Sequence, residues 1–470
     1  MGAESRARPG GGLLRRRRRA EAVDVSAERV AQAARWAAWC GLAVQGRRPE
    51  DVRALLARLR EAAAQGSPQT RAAAVEALGR APAALLTLLD RYARVPDAGS
   101  PHPDRCRARP APPGGDAPSS DLLGALVASL DPDGRVRQAA VEALATAGGP
   151  LPAAASALRA VDRVPQVAER ARAALLARTA PDEVPAAVGV LLAVGGRRRA
   201  HGLLGAYRSV LAEPARRRAV RALAGHADPP VRRFGVELAL DLGEYVRGDL
   251  LRTALHDTDQ VCRRLCAQRL LELDPEQAGR LLWASGAGVR ELAVSALPAD
   301  VPATRLVAPL ADRALMVRAQ ARWKLYQRGE PPADVYRKQV RKAARRADGV
   351  PGLLAGLATG LGECGDAADV ELLAPLLPDP RAMVRRAAAR AVGRLARPCE
   401  LVPLLAPLAN DPDPGVAREV FRALARVPDD VPPETLWIGR TRTEPAVRRL
   451  AERIGAARAA GYAQSGQSPR

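Results

Sequence analysis

The stretch VRAQARWKLYQRGEPPADVYRKQVRKAARR, Val317 to Arg346, holds ten basic residues against Glu330 and Asp334. All three lysines of the chain, Lys324, Lys338 and Lys342, fall inside it. Arg337, Arg341 and Arg345 recur every four residues, and so do Lys338, Lys342 and Arg346. On a helix that spacing makes one continuous basic stripe. Trp323, Tyr326 and Tyr336 lie close by. Basic groups neutralise phosphates and aromatic rings stack on bases. Arg337, Lys338, Arg341, Lys342, Arg345, Arg346 and Lys324 are therefore the candidate contacts for nucleic acid or another polyanion. The stripe suits an acidic protein surface equally, or a solvated helix face beside a core aromatic cluster. Arg197–Arg199 and Arg216–Arg218 would extend it into a basic groove if they shared its face; dispersed surface charge is the simpler account of them.

Other chemistry is thinly supplied. Cys262 and Cys266 are four apart and share a helix face, with His256 nearby. A structural zinc site takes four ligands, usually with close pairs at two ends. No second pair is present, so these cysteines are expected to pack in the core and no cofactor is expected. The chain has four His and no H-E-x-x-H, G-x-S-x-G or P-loop sequence. GLATGLGECG (Gly356–Gly365) lacks the Lys-Ser/Thr ending of a P-loop and suits close helix packing or a helix terminus. The chain is expected not to be an enzyme.

The elements that must position these residues follow from composition. Of 470 residues 47% are apolar but only 3% aromatic, and Ala and Leu lead the helix-propensity ranking. Alternating β-branched runs are scarce, so the chain reads as all-α. The net charge is +22, with 70 Arg among the basic residues. A field of that size favours anionic partners. Six cysteines are too sparse for a disulfide framework, and no apolar run is long enough for a signal peptide or a membrane span. A cytoplasmic location is expected.

A repeat organises the chain. DPDGRVRQAAVEALA (131–145), DPRAMVRRAAARAVGRLA from Asp379 and DPDPGVAREVFRALA from Asp411 restate one pattern: an Asp-Pro turn, a Val-Arg pair and an Ala/Leu-rich helix. Val136, Val231, Val261, Val289, Val317, Val384, Val416 and Val447 anchor successive copies, with Val167 filling one gap. A period near 30 residues marks a helical-repeat solenoid. VELLAPLL (Val370–Leu377) makes a first helix, and Asp379-Pro380 turns the chain. Val384, Ala387, Ala388, Ala391, Val392 and Leu395 then form one apolar stripe on a second helix, which stacking on the next hairpin buries.

This grammar resembles HEAT repeats, especially the bacterial short variant also found in phycobilisome-lyase-type proteins. The resemblance implies a right-handed α-solenoid (superhelix) of HEAT-like helical hairpin repeats, and a hydrogen-bonded ladder of turn Asp and second-helix Arg between repeats. The residues it assigns to that ladder are Asp131, Arg137, Asp228, Arg232, Arg290, Arg318, Asp379, Arg385, Asp411 and Arg448. Cys262 and Ala417 depart from it where Arg is usual, and residues 186–225 fall out of register, through either an inserted short helix or a truncated repeat. HEAT-like alkyl-purine glycosylases need a carboxylate beside aromatic rings; Asp334 with Tyr336 and Asp312 with Trp323 are the nearest pairings, and neither matches.

The expected organisation is a disordered basic arm (1–20), N-terminal helical repeats (21–98), a Pro/Gly-rich linker or loop (99–120), the repeat solenoid (121–460) and a disordered tail (461–470). The expected function is a non-enzymatic scaffold for an unidentified protein partner. Nucleic-acid binding through the basic arm and the stripe at 337–346 is the alternative, and a glycosylase a distant third.

Overall fold

The computed structural model describes residues 30–94, 121–345 and 350–465. Every regular element among them is helical. The basic arm (1–20), the whole of the expected linker (99–120) and Arg346 lie outside the described residues. Two compact units are present, Met1–Val246 and Arg247–Arg470.

The first unit contains α1 (30–46), α2 (Pro49–Gln65), α3 (Pro68–Arg80), α4 (Ala83–Ala93), α5 (Leu122–Ser129), α6 (Gly134–Thr146), α7 (Pro150–Arg159), α8 (Pro165–Ala177), α9 (Val184–Val194), α10 (Leu203–Leu211), α11 (Arg217–Ala224) and α12 (Pro229–Asp241). The second contains α13 (Arg247–His256), α14 (Gln260–Leu273), α15 (Ala278–Leu281), α16 (Ala287–Ala296), α17 (Ala303–Leu310), α18 (Leu315–Gln327), α19 (Pro332–Ala344), α20 (Pro351–Cys364), α21 (Val370–Leu373), α22 (Ala382–Leu395), α23 (Pro398–Leu405), α24 (Pro414–Leu424), α25 (Pro433–Thr441) and α26 (Pro445–Ser465). From α13 onward they pair as hairpins, a first (A) helix and a second (B) helix, and B helices such as α20, α22, α24 and α26 pack on one another in sequence.

Local chemistry sets the helix starts. Many helices carry Pro in their first two positions, where its fixed φ is helical and its missing N–H costs nothing. Asp133, Asp259 and Asp413 cap α6, α14 and α24 through their carboxylates. Asp379 does not cap α22; it stands two residues ahead of the cap and accepts the Arg381 amide. The α22 stripe faces the core as expected, with Leu395 half-buried.

Three expectations are corrected. Val261 is 39% exposed, and Cys262 fills the buried anchor slot in its place. The register of α14 is therefore one residue later than the Val spacing implies, because Asp259 caps the helix. Cys262 and Cys266 are both fully buried in the core, and burial pushes the Cys266 thiol up to about 12. In the out-of-register stretch EPARRRAVRALAG reads from its sequence as a second helix, but α11 packs as the A helix of a hairpin with α12. Gly235 of α12 permits this, since a Cβ there would lie 2.4 Å from the Leu223 and Ala224 backbone. The last helix runs to Ser465, past the boundary expected at 460, because GAARAAG continues its Ala-rich pattern.

The glycines of α20 explain GLATGLGECG as packing. A Cβ on Gly356 would meet the Ala311 carbonyl oxygen at 2.0 Å, and one on Gly362 would meet Ala391 Cβ at 2.6 Å. Gly→Ala inside a helix normally stabilises by about 1 kcal/mol. Gly356→Ala should instead destabilise by about 1–3 kcal/mol, because the backbone opposite must move. Gly352→Ala, with nothing within 4 Å, should not. Urea denaturation of the two variants checks this.

Candidate functional site

The fourth residue counted from the one that precedes each helix is Arg in α6, α12, α16, α18, α22 and α26. These are Arg137, Arg232, Arg290, Arg318, Arg385 and Arg448. The Nη1 of Arg137, Arg290, Arg385 and Arg448 donates to two carbonyls of its own turn at 2.7–3.0 Å. Arg232 does the same to His226 and Ala227, and Arg318 to Asp312 alone. The remaining nitrogens of three of them fork onto a carboxylate in the next repeat: Arg137 onto Asp162, Arg290 onto Asp312, and Arg385 onto Asp411. Each of those carboxylates also accepts the amide two residues ahead, closing its turn. This bidentate geometry is one that Lys cannot reproduce.

The ladder substitutes where the repeat departs from its pattern. Arg318 reaches Glu363 on α20, which also accepts from Arg322 at 2.7 Å. Arg263 occupies the ladder position of α14 and donates to Ser285 at 2.7 Å. Asp228 is not a ladder acid: it precedes α12 directly, and His226 holds the slot, accepting the Asp228 amide. Asp131 accepts the Asp133 amide, and Asp379 is gripped by Arg381 of its own turn. Asp162, Asp312 and Glu363 were missed in the sequence. The signal for the first two was their place six residues ahead of the ladder position, without the adjoining Pro.

In the first unit the ladder broadens into a buried cluster. Arg137, Arg159 and Asp162 side chains are at most 1% exposed. Asp162 accepts from Arg137, Arg159 and Arg94, while Asp90 accepts from Arg159, Arg94 and Arg197. Burial alone would raise the Asp162 carboxyl. Hydrogen bonds from Arg137 and the Val164 amide, with the Arg159 and Arg137 charges, outweigh it and hold the carboxyl at about 2.

The polyanion candidates do not form one free stripe. Arg337 is bound to Asp334, Asp366 and Asp369 at 2.6–2.9 Å, which raises its pKa. Lys324 is 7% exposed and donates to the Leu297 carbonyl at 2.6 Å. Lys338, Arg341, Lys342 and Arg345 remain exposed along α19, an A helix. Of the glycosylase-like pairings, Asp312 is occupied by Arg290, Asp334 by Arg337, and Tyr336 is buried with its hydroxyl donating to Leu310.

A different surface emerges on the B helices. In α18 the second, ninth and twelfth residues after Ala314 are Met316, Trp323 and Tyr326, 57%, 56% and 57% exposed. Their spacing places them on one face. Met383 repeats the exposed second position on α22.

Ladder energetics are measurable. Arg385→Ala leaves the buried Asp411 without its fork and should cost about 2–3 kcal/mol in urea denaturation. Asp162 has a folded pKa below the unfolded value of about 3.9. Its contribution is complete above that pH and is lost as pH falls through about 2. Stability should therefore decline between about pH 4 and pH 2, and Asp162→Asn, weaker at pH 7, should show a shallower decline.

Residues 370–455 match the family model described as HEAT repeats. Sequence comparison with curated proteins finds no match. Among solved structures, Kap95p in its study with RanGDP aligns at 12% identity and TM-score 0.37, covering 85% of this chain and 60% of that one. Kap121p bound to Pho4p aligns at 13% identity and TM-score 0.36, covering 90% and 56%. The chain thus spans less than two thirds of the length of these structures. Residues 370–455 are therefore HEAT repeats, and the all-α hairpins and Asp-Arg ladder elsewhere among the described residues follow the same pattern.

Proposed function

We propose that the protein is a non-enzymatic scaffold that binds a protein partner through the B-helix face of its second unit. The observation that carries this reading is the exposed trio Met316, Trp323 and Tyr326. The chain has only five Trp, six Tyr and two Phe, so placing two aromatics outward on one helix is a costly use of scarce residues. Aromatic residues and Met are enriched at protein interfaces, where a few anchors supply most of the affinity.

A photo-cross-linking residue at Gln320 on α18 should capture a discrete set of proteins in cells. The same probe at Thr304, exposed on the A helix α17, should not. Trp323→Ala with Tyr326→Ala should weaken capture on the order of thirtyfold, the loss of a hot-spot anchor. Equal capture from both sites, or capture indifferent to the double substitution, would reject this face.

The four exposed cations of α19 favour a second reading, polyanion binding on the A-helix side. Fluorescence anisotropy with labelled duplex and single-stranded nucleic acid tests it: affinity should fall by orders of magnitude from about 50 to about 200 mM salt. Neutralising Lys338, Arg341 and Lys342 should flatten that slope. Absence of binding at the lowest salt removes this reading.

A further inference from the structure

The last three B helices carry an arginine pattern that the ladder does not use. Counting from the residue that precedes each helix, the fifth and ninth positions are Arg386 and Arg390 on α22, Arg418 and Arg422 on α24, and Arg449 and Arg453 on α26. Four residues advance about 6 Å along a helix. Packed helices lie roughly 8–10 Å apart. Six guanidinium groups in the same register on three adjacent helices therefore make a two-by-three grid. The second position that precedes each pair on the same face is Met383, Gly415 and Ala446. Arg386 extends over Gly415, where a Cβ would come within 2.8 Å of its Nη1.

The grid already holds one carboxylate. Glu419 on α24 is 2% exposed and accepts from Arg390 of α22 at 2.8 Å and from Arg422 of its own helix at 2.5 Å. Burial would raise its carboxyl, yet the hydrogen bonds and charges of Arg390 and Arg422 hold it below the usual range. Arg386, Arg418, Arg449 and Arg453 make no ion pair among the described residues, and Glu452 is the one further acid within these turns of α26. Rows of guanidinium groups from neighbouring repeats are thus spaced to grip a carboxylate between them.

We propose that this grid docks an acidic α-helical segment of the partner, with carboxylates spaced one turn apart. Such a helix has the same rise per four residues as the rows beneath it, so successive carboxylates meet successive guanidinium groups. Arg favours this contact because its fork matches a carboxylate. Glu419 and Glu452 dilute the positive charge, which tolerates well-spaced carboxylates better than the dense charge of a phosphate backbone. The inference rests on the protein-binding reading and specifies the partner's chemistry.

The test is anisotropy of a labelled helical peptide of about 20 residues, Ala-rich with Glu at every fourth position, titrated with the full chain. A single-stranded DNA of equal charge is the comparison. Arg386→Gln, Arg449→Gln and Arg453→Gln are combined, since none has a partner whose loss would unfold the protein; an unchanged melting temperature confirms that. Peptide affinity should fall about tenfold in the triple variant, as expected for three exposed ion pairs. Indifference of the peptide to the substitutions overturns the proposal. So does DNA that binds more tightly than the peptide and is the ligand the variant loses. If the peptide fails while cross-linking from Gln320 persists, the acidic-segment inference falls and the scaffold stands. If both fail, the scaffold itself falls.

Discussion

In α6, α16 and α22 a single guanidinium ties the repeat to itself and to its neighbour. Its Nη1 satisfies two turn carbonyls that no helix can reach, while Nε and Nη2 hold the acid that closes the next turn. Buried backbone groups must find partners, and a stack of short helices has many ends. The ladder answers that need with one side chain per turn. It also makes each repeat's geometry depend on the next, which is how a quasi-one-dimensional array acquires cooperativity.

The ladder sets what the rest of the B helix can do. With the third residue in the core and the fourth on the ladder, the second, fifth and ninth are left facing outward. These positions vary freely between repeats. On α18 they are Met316, Ala319 and Trp323; on α20 they are Gly352, Ala355 and Thr359; on α22 and α24 two of the three are Arg. The high net charge therefore has separate physical roles. Part is neutralised in rungs and in the buried cluster around Asp162, and part is displayed.

The architecture was legible because its signal is contiguous: an Asp, a turn, Val-Arg and an Ala-rich stripe sit within a few residues. The resemblance of that grammar to HEAT repeats implied a ladder role for Arg137, Arg290 and Arg385. Their acceptors were harder to see. Asp162 lies 25 residues beyond Arg137 in a turn without Asp-Pro, and Glu363 lies 45 beyond Arg318 on a helix that carries no ladder Arg. The stripe at 337–346 misled for the same reason. Periodicity states which residues share a face, but Asp366 and Asp369, some 30 residues on, decide whether Arg337 is available. The grid was present in the sequence as R-x-x-x-R in three successive B helices, and it becomes visible only when those helices are superposed by register rather than by their Val anchors.

Helix α20 marks the change of surface. Its small residues let it pack closely between neighbours, and its Glu363 collects Arg318 and Arg322 from one side with Arg394 at 3.8 Å from the other. That one carboxylate bridges three repeats where a regular turn acid is not available to Arg318. On one side of α20 the outward face of α18 carries Met316, Trp323 and Tyr326; on the other the faces of α22, α24 and α26 are cationic. Apolar anchors contribute mainly to how long a complex lasts, and charge to how quickly and how selectively it forms. A partner that engaged both halves would gain its orientation from the asymmetry itself, because its apolar anchor and its carboxylates could not exchange places.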